Sequence, residues 1–99
     1  MAGELKIAAT SAASPTTVSE LFAKAIEQHQ AGRMERAIEL YRHLVTQHPG
    51  YAPAWNNLGV ALRATDKFAA AASALRRGTA ISPEDAGAWS NLGNALRAI

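Results

Sequence analysis

Residues 52–65 read APAWNNLGVALRAT and residues 86–99 read AGAWSNLGNALRAI. Ten of the fourteen positions are identical, and the two stretches begin 34 residues apart. Both consist of helix-forming residues, so a fixed offset of this size predicts a stack of equivalent helical units, each contacting its neighbours, rather than a globule around one closed core.

Working outward, the apolar residues recur at helical spacing on either side of the duplicated stretch. Thr17 followed by Glu20 has the spacing of a capping box, and Val18, Leu21, Phe22, Ala25 and Ile26 then mark one face of a helix running to about Ala31. Gly32 ends it. Met34, Ala37, Ile38, Tyr41, Leu44 and Val45 form a second face that Pro49-Gly50 closes. Two amphipathic helices joined by so short a turn are expected to pack antiparallel. The plan repeats with Trp55, Leu58, Gly59 and Leu62, a turn at Thr65-Asp66-Lys67, then Phe68, Ala71, Ala72 and Leu75, closed by Ser82-Pro83. Trp89, Leu92, Gly93 and Leu96 supply one more first helix. The predicted organisation is therefore all-α: a mobile arm over residues 1–16, whose small and hydroxylated residues show no periodic face, then a repeat domain over 17–99. Its units are 18–51, 52–85 and the half-unit 86–99.

Composition narrows the function classes. Apolar residues make up 48% of the chain but aromatics only 6%, so the core must be shallow and built mainly from Ala, Leu, Ile and Val. Ten basic and eight acidic residues are intermixed, which argues against a nucleic-acid or anionic-membrane partner, since either would want a basic stripe. With no Cys there is no disulfide framework and no thiolate chemistry. No apolar run approaches the ~18–20 residues of a spanning helix, and Lys6 is followed by no continuous apolar segment of a secretory signal.

Catalytic patterns are sparse. His29, His43 and His48 include no pair at the i, i+4 spacing of a helical metal site, and they read as solvated or groove-edge residues. Glu35 and Glu39, beside Arg36 and Arg42, read as helix-surface ion pairing. Glu84-Asp85 precede the last helix, where negative charge suits the helix dipole. No phosphate loop and no nucleophile with its base are evident, so the chain is read as a non-enzyme without cofactor or metal.

The aligned positions carry a family resemblance. Leu21, Trp55 and Trp89 correspond, as do Ala25, Gly59 and Gly93, Ala37 and Ala71, Tyr41 and Leu75, and Pro49 and Pro83. This pattern resembles the tetratricopeptide repeat, with Trp, Leu-Gly and a large residue in its first helix and Ala, an aromatic, Ala and Pro in its second. The glycines are expected to admit close helix approach, and Trp55 and Trp89 to plug the gaps between units. The match weakens in the first unit at Leu21, Lys24 and Ala25. Gly78 stands where Ala is usual, and at about 1 kcal/mol against Ala it should let the last helical turn fray.

The resemblance implies a helical solenoid whose first helices line a concave groove for a peptide or partner protein. The groove residues would be Phe22, Ala23, Ile26 and His29, then Asn56, Asn57, Val60 and Arg63, then Ser90, Asn91, Asn94 and Arg97. Asn57 and Asn91 are equivalent and could hydrogen-bond a peptide backbone; Arg63 and Arg97 are equivalent and could meet an acidic tail. Modules that clamp acidic chaperone tails carry Lys, Asn and Arg at the places held here by Phe22, Ile26, Asn57, Gly87 and Asn91; only Asn57 agrees. The implied role is a cytoplasmic protein-binding scaffold or adaptor. NNLGVALRA and SNLGNALRA are also similar to repeats preceding the catalytic region of protein O-linked N-acetylglucosamine transferases, which makes an acceptor-binding segment of such an enzyme the alternative. The apolar residues of the last helix further suggest self-association through that end.

Overall fold

The computed structural model describes residues 17–99, and the expected arm over residues 1–16 lies outside them. Five helices follow in order: α1 Val18–Gln30, α2 Met34–Gln47, α3 Ala52–Ala64, α4 Phe68–Ile81 and α5 Ala86–Arg97. Helix starts recur 34 residues apart, at Val18, Ala52 and Ala86 and at Met34 and Phe68. Consecutive helices pack on one another, and α3 also touches α5. The result is an all-α helical repeat solenoid of two helix pairs and a fifth helix.

The repeat is written in the turns as well as in the helices. After α1 the Gly32 N–H bonds to the His29 carbonyl and the Arg33 N–H to the Gln28 carbonyl; after α3 the Asp66 N–H bonds to Arg63 and the Lys67 N–H to Leu62. These are paired C-terminal caps that require one residue in the left-handed region. Gly32 (φ 82°) fills that place in the first unit and Asp66 (φ 63°) in the second. Asp tolerates this conformation better than most side chains, so the turn survives without its glycine.

Before α1, Thr17 and Glu20 form the expected capping box, with Thr17 Oγ1 accepting from the Glu20 N–H at 3.1 Å. Asp85 caps α5 by accepting from the Ala88 N–H at 3.1 Å. Tyr51, at the equivalent place before α3, makes no side-chain cap; its ring instead meets Phe22 edge-on at 5.2 Å.

Between units the two tryptophans act alike. Trp55 Nε1 donates to the Pro49 carbonyl and Trp89 Nε1 to the Pro83 carbonyl, each at 2.8 Å. Each indole thereby ties the helix it sits on to the turn that precedes it, a bond worth about 0.5–1.5 kcal/mol. Trp55 also packs against the core, with the Arg77 guanidinium 4.8 Å from its ring centre. The expected gap-plugging does not extend to Trp89, which is 49% exposed, with no helix packed over it among the described residues.

Within the second pair, Gly59 is a seat for Leu75. A methyl group at Gly59 would come within 2.9 Å of both Leu75 terminal carbons, and Leu75 is fully buried. Gly93, its equivalent, has no atoms near enough to meet such a methyl, so the close approach expected there is absent. Gly78 also differs from expectation. It is buried against the start of α3, and the Ser82 N–H still bonds to its carbonyl at 2.9 Å, so α4 stays helical to Ile81.

Surface charge pairs across units rather than along α2. Glu35 lies 3.8 Å from Lys67 in the next turn, whereas no pairing of Glu39 with Arg36 or Arg42 is present among the described residues. Both partners are well exposed, so the pair adds little. Among the described residues no helix is long and apolar enough to cross a membrane.

The two glycines of the α3–α4 contact should respond oppositely to one added methyl. Gly59→Ala should destabilise the fold, because overpacking against Leu75 costs about 1–3 kcal/mol and outweighs the better helix propensity. Gly78→Ala would meet only ordinary contacts at 3.4–3.7 Å. It should stabilise by up to about 1 kcal/mol. Urea unfolding midpoints of both variants check the pair of signs.

Candidate partner-binding groove

The candidate residues lie on α1, α3 and α5, and α2 lends them a tyrosine. Tyr41 is fully buried, and its hydroxyl hydrogen-bonds His29 Nδ1 at 3.0 Å across the α1–α2 contact. The Asn57 side-chain amide lies against the same hydroxyl from α3. Burial pushes the Tyr41 pKa up, and the Asn57 contact opposes that shift. Burial also pushes the His29 pKa below its usual 6.5. With the imidazole neutral, Tyr41 can donate to Nδ1, so one hydroxyl joins three helices of two units. His29 is thus half-buried and bonded into the packing, not freely solvated; His43 and His48 are exposed as expected.

Phe22 stands beside this group, 6.2 Å from the Tyr41 ring and 5.2 Å from the Tyr51 ring. It is half-buried, as is Ile26 one turn on. An aromatic cluster therefore fills the junction of the first and second units, where the sequence shows only Leu21 at the tryptophan position.

Asn57 and Asn91 do not behave as matched hooks. Tyr41 corresponds to Leu75, so Asn57 meets a hydroxyl and Asn91 has none to meet. Asn91 Nδ2 instead donates to Asn56 Oδ1 at 3.1 Å, tying α5 to α3. Asn56, Asn57 and Asn91 are each half-buried and each partly committed to packing. What they leave for a ligand is the remaining hydrogen-bonding capacity of their amides.

Further along the same helices, Val60, Arg63 and Asn94 come together around a shallow cleft. Asp66 from the turn between α3 and α4 and Phe68 from the start of α4 complete it. The family resemblance places the first three in the groove; Asp66 and Phe68 lie off the first helices and are not groove positions under it. Arg97 is exposed and donates to Asn94 Oδ1, whereas Arg63 is exposed without a carboxylate partner among the described residues. A second cleft, on the α2–α4 side, is floored by Trp55 and Leu58 and flanked by Arg42 and Arg77. No group of three His, Asp or Glu side chains able to hold a metal occurs among the described residues.

The tetratricopeptide repeat family model matches residues 28–96. The chain belongs to the tetratricopeptide repeat family. The match begins near the end of α1, the helix whose Leu21, Lys24 and Ala25 depart from the repeat pattern. Two solved structures of a tetratricopeptide repeat domain protein from Salinibacter ruber are similar. The solution NMR structure has a TM-score of 0.70 at 25% identity, covering 86% of this chain and 89% of that one. The crystal structure has a TM-score of 0.69 at 25% identity, covering 83% and 96%. No curated protein matches. As a member of the tetratricopeptide repeat family, the chain belongs to a class of modules that generally mediate protein–protein interaction.

The histidine gives the groove a measurable signature. Because folding lowers the His29 pKa, the unfolded chain binds that proton more readily, so stability should rise with pH up to 6.5 and be fully present above it. His29→Gln should remove this part of the slope between about pH 5 and pH 8. Urea midpoints of both proteins across that range provide the comparison.

Proposed function

We propose that residues 17–99 form a protein-binding repeat domain, with units 18–51, 52–85 and 86–99, that holds a peptide or partner protein along α1, α3 and α5. The observation that supports this most is the alternation on that surface of half-buried Asn amides (Asn56, Asn57, Asn91, Asn94) with apolar patches at Phe22, Ile26 and Val60. Amides with unused donors and acceptors suit a peptide backbone, and the patches suit a few side chains. Arg63 and Arg97 at the far end favour a segment that carries negative charge.

The mechanism is preorganisation. Tyr41 links His29 and Asn57, and Asn91 is linked to Asn56, so the groove amides are held before a partner arrives and little ordering entropy falls on this chain. The protein acts on this reading as a scaffold or adaptor without chemistry of its own, in the cytoplasm.

A second reading has the chain as an acceptor-binding segment of a protein O-linked N-acetylglucosamine transferase. It rests on the strings NNLGVALRA and SNLGNALRA alone.

Partner capture from the native source, followed by affinity measurement with the purified partner, tests the groove. Replacing Asn57 and Asn91 together by Ala should weaken binding by about tenfold, two lost hydrogen bonds at roughly 1 kcal/mol each being ample. Unchanged affinity in a variant of normal helicity would remove these residues from the site.

A further inference from the structure

The duplication that defines the fold also describes what the outer face of α5 is built to hold. On α3, Trp55, Gly59 and Leu62 face α4, and α4 answers with Leu75 on Gly59 and Arg77 over the Trp55 ring. Leu62 is consequently 2% exposed. On α5 the same three residue types recur as Trp89, Gly93 and Leu96, but Leu96 is 40% exposed and Gly93 has open space where Leu75 would sit.

Trp89 on this face is held as Trp55 is on α3. Trp89 Nε1 bonds to the Pro83 carbonyl at 2.8 Å, the same distance and the same six-residue span that Trp55 uses to Pro49. The indole is therefore held in place without a helix against it. The inner face of α5, with Ala88, Leu92 and Ala95, is buried against the preceding helices, and no helix covers the outer one among the described residues.

We infer that the face bearing Trp89, Gly93 and Leu96 docks an amphipathic partner helix with the residue pattern of α4. A leucine would seat on Gly93, and an arginine two residues further on would lie over Trp89, as Leu75 and Arg77 do on α3. Small residues beside that leucine, as at Ala71, Ala72 and Ala74, would admit the close approach. This surface is separate from the groove residues, so the two sites can fail independently.

A synthetic peptide of residues 66–83, which contains α4, is the probe, titrated into the full chain while tryptophan fluorescence is followed. Saturable binding is expected. Leu75→Ala in the peptide should weaken it by about tenfold or more, the usual consequence of emptying a buried leucine seat. Gly93→Leu in the protein should weaken it comparably by filling the seat, with helicity checked by circular dichroism; should that variant misfold, the peptide change decides. Absence of binding at millimolar peptide overturns the inference, as does binding that survives the peptide change or a folded Gly93→Leu protein, since the peptide would then be pairing elsewhere, for example on α3. Self-association through this face that the peptide does not displace would also overturn it, the occupant then being a second copy of the chain.

Discussion

Leu75 resting on Gly59 is the contact on which the stack depends. A helix pair can approach closely only where one surface has no Cβ to keep the other away, and the absence of that atom on α3 lets Leu75 become fully buried. Close approach in turn covers Leu62 and brings Arg77 over Trp55. Around it the core is mostly alanine: Ala54, Ala61, Ala71 and Ala74 are all nearly or wholly inaccessible. Such small residues contribute little transfer energy each, so the few large buried side chains, Tyr41, Leu44, Leu62 and Leu75, supply a disproportionate share.

The two units solve the same packing problem differently. In the first, the position equivalent to Leu75 is Tyr41, whose ring is buried and whose hydroxyl must be satisfied. His29 does this through its hydrogen bond at 3.0 Å, with the Asn57 amide nearby, and the cost of burying the hydroxyl becomes a link between α1 and α2 that reaches toward α3. In the second unit Leu75 has no polar group to satisfy, which frees Asn91 to bond Asn56. Polar residues on the proposed binding surface are therefore structural members first, and their spare hydrogen-bonding capacity is what a partner can use.

Much of the fold was legible in the residues. The capping box at Thr17, the stop at Gly32, the three helix starts at 34-residue intervals and the pairing of helices all follow from local rules whose determinants lie within a few residues of each other. The candidate site was legible only in outline. Val60, Arg63 and Asn94 line one cleft, but Asp66 from the α3–α4 turn and Phe68 from the start of α4 close it, and neither stands at a groove position of the first helices. Nor did spacing reveal the bond between His29 and Tyr41, since twelve residues and a turn separate them.

The sequence by itself determined where each helix begins and ends and which faces are apolar, because caps, left-handed turn residues and a 3.6-residue period act over short range. Only the tertiary structure decided what each copy of the duplicated segment does. Leu62 and Leu96 are the same residue in the same local context, yet one is in the core and the other 40% exposed, and Asn57 and Asn91 find different partners. Burial and hydrogen bonding depend on what lies across the helix, and a repeat copies the helix without copying its neighbours.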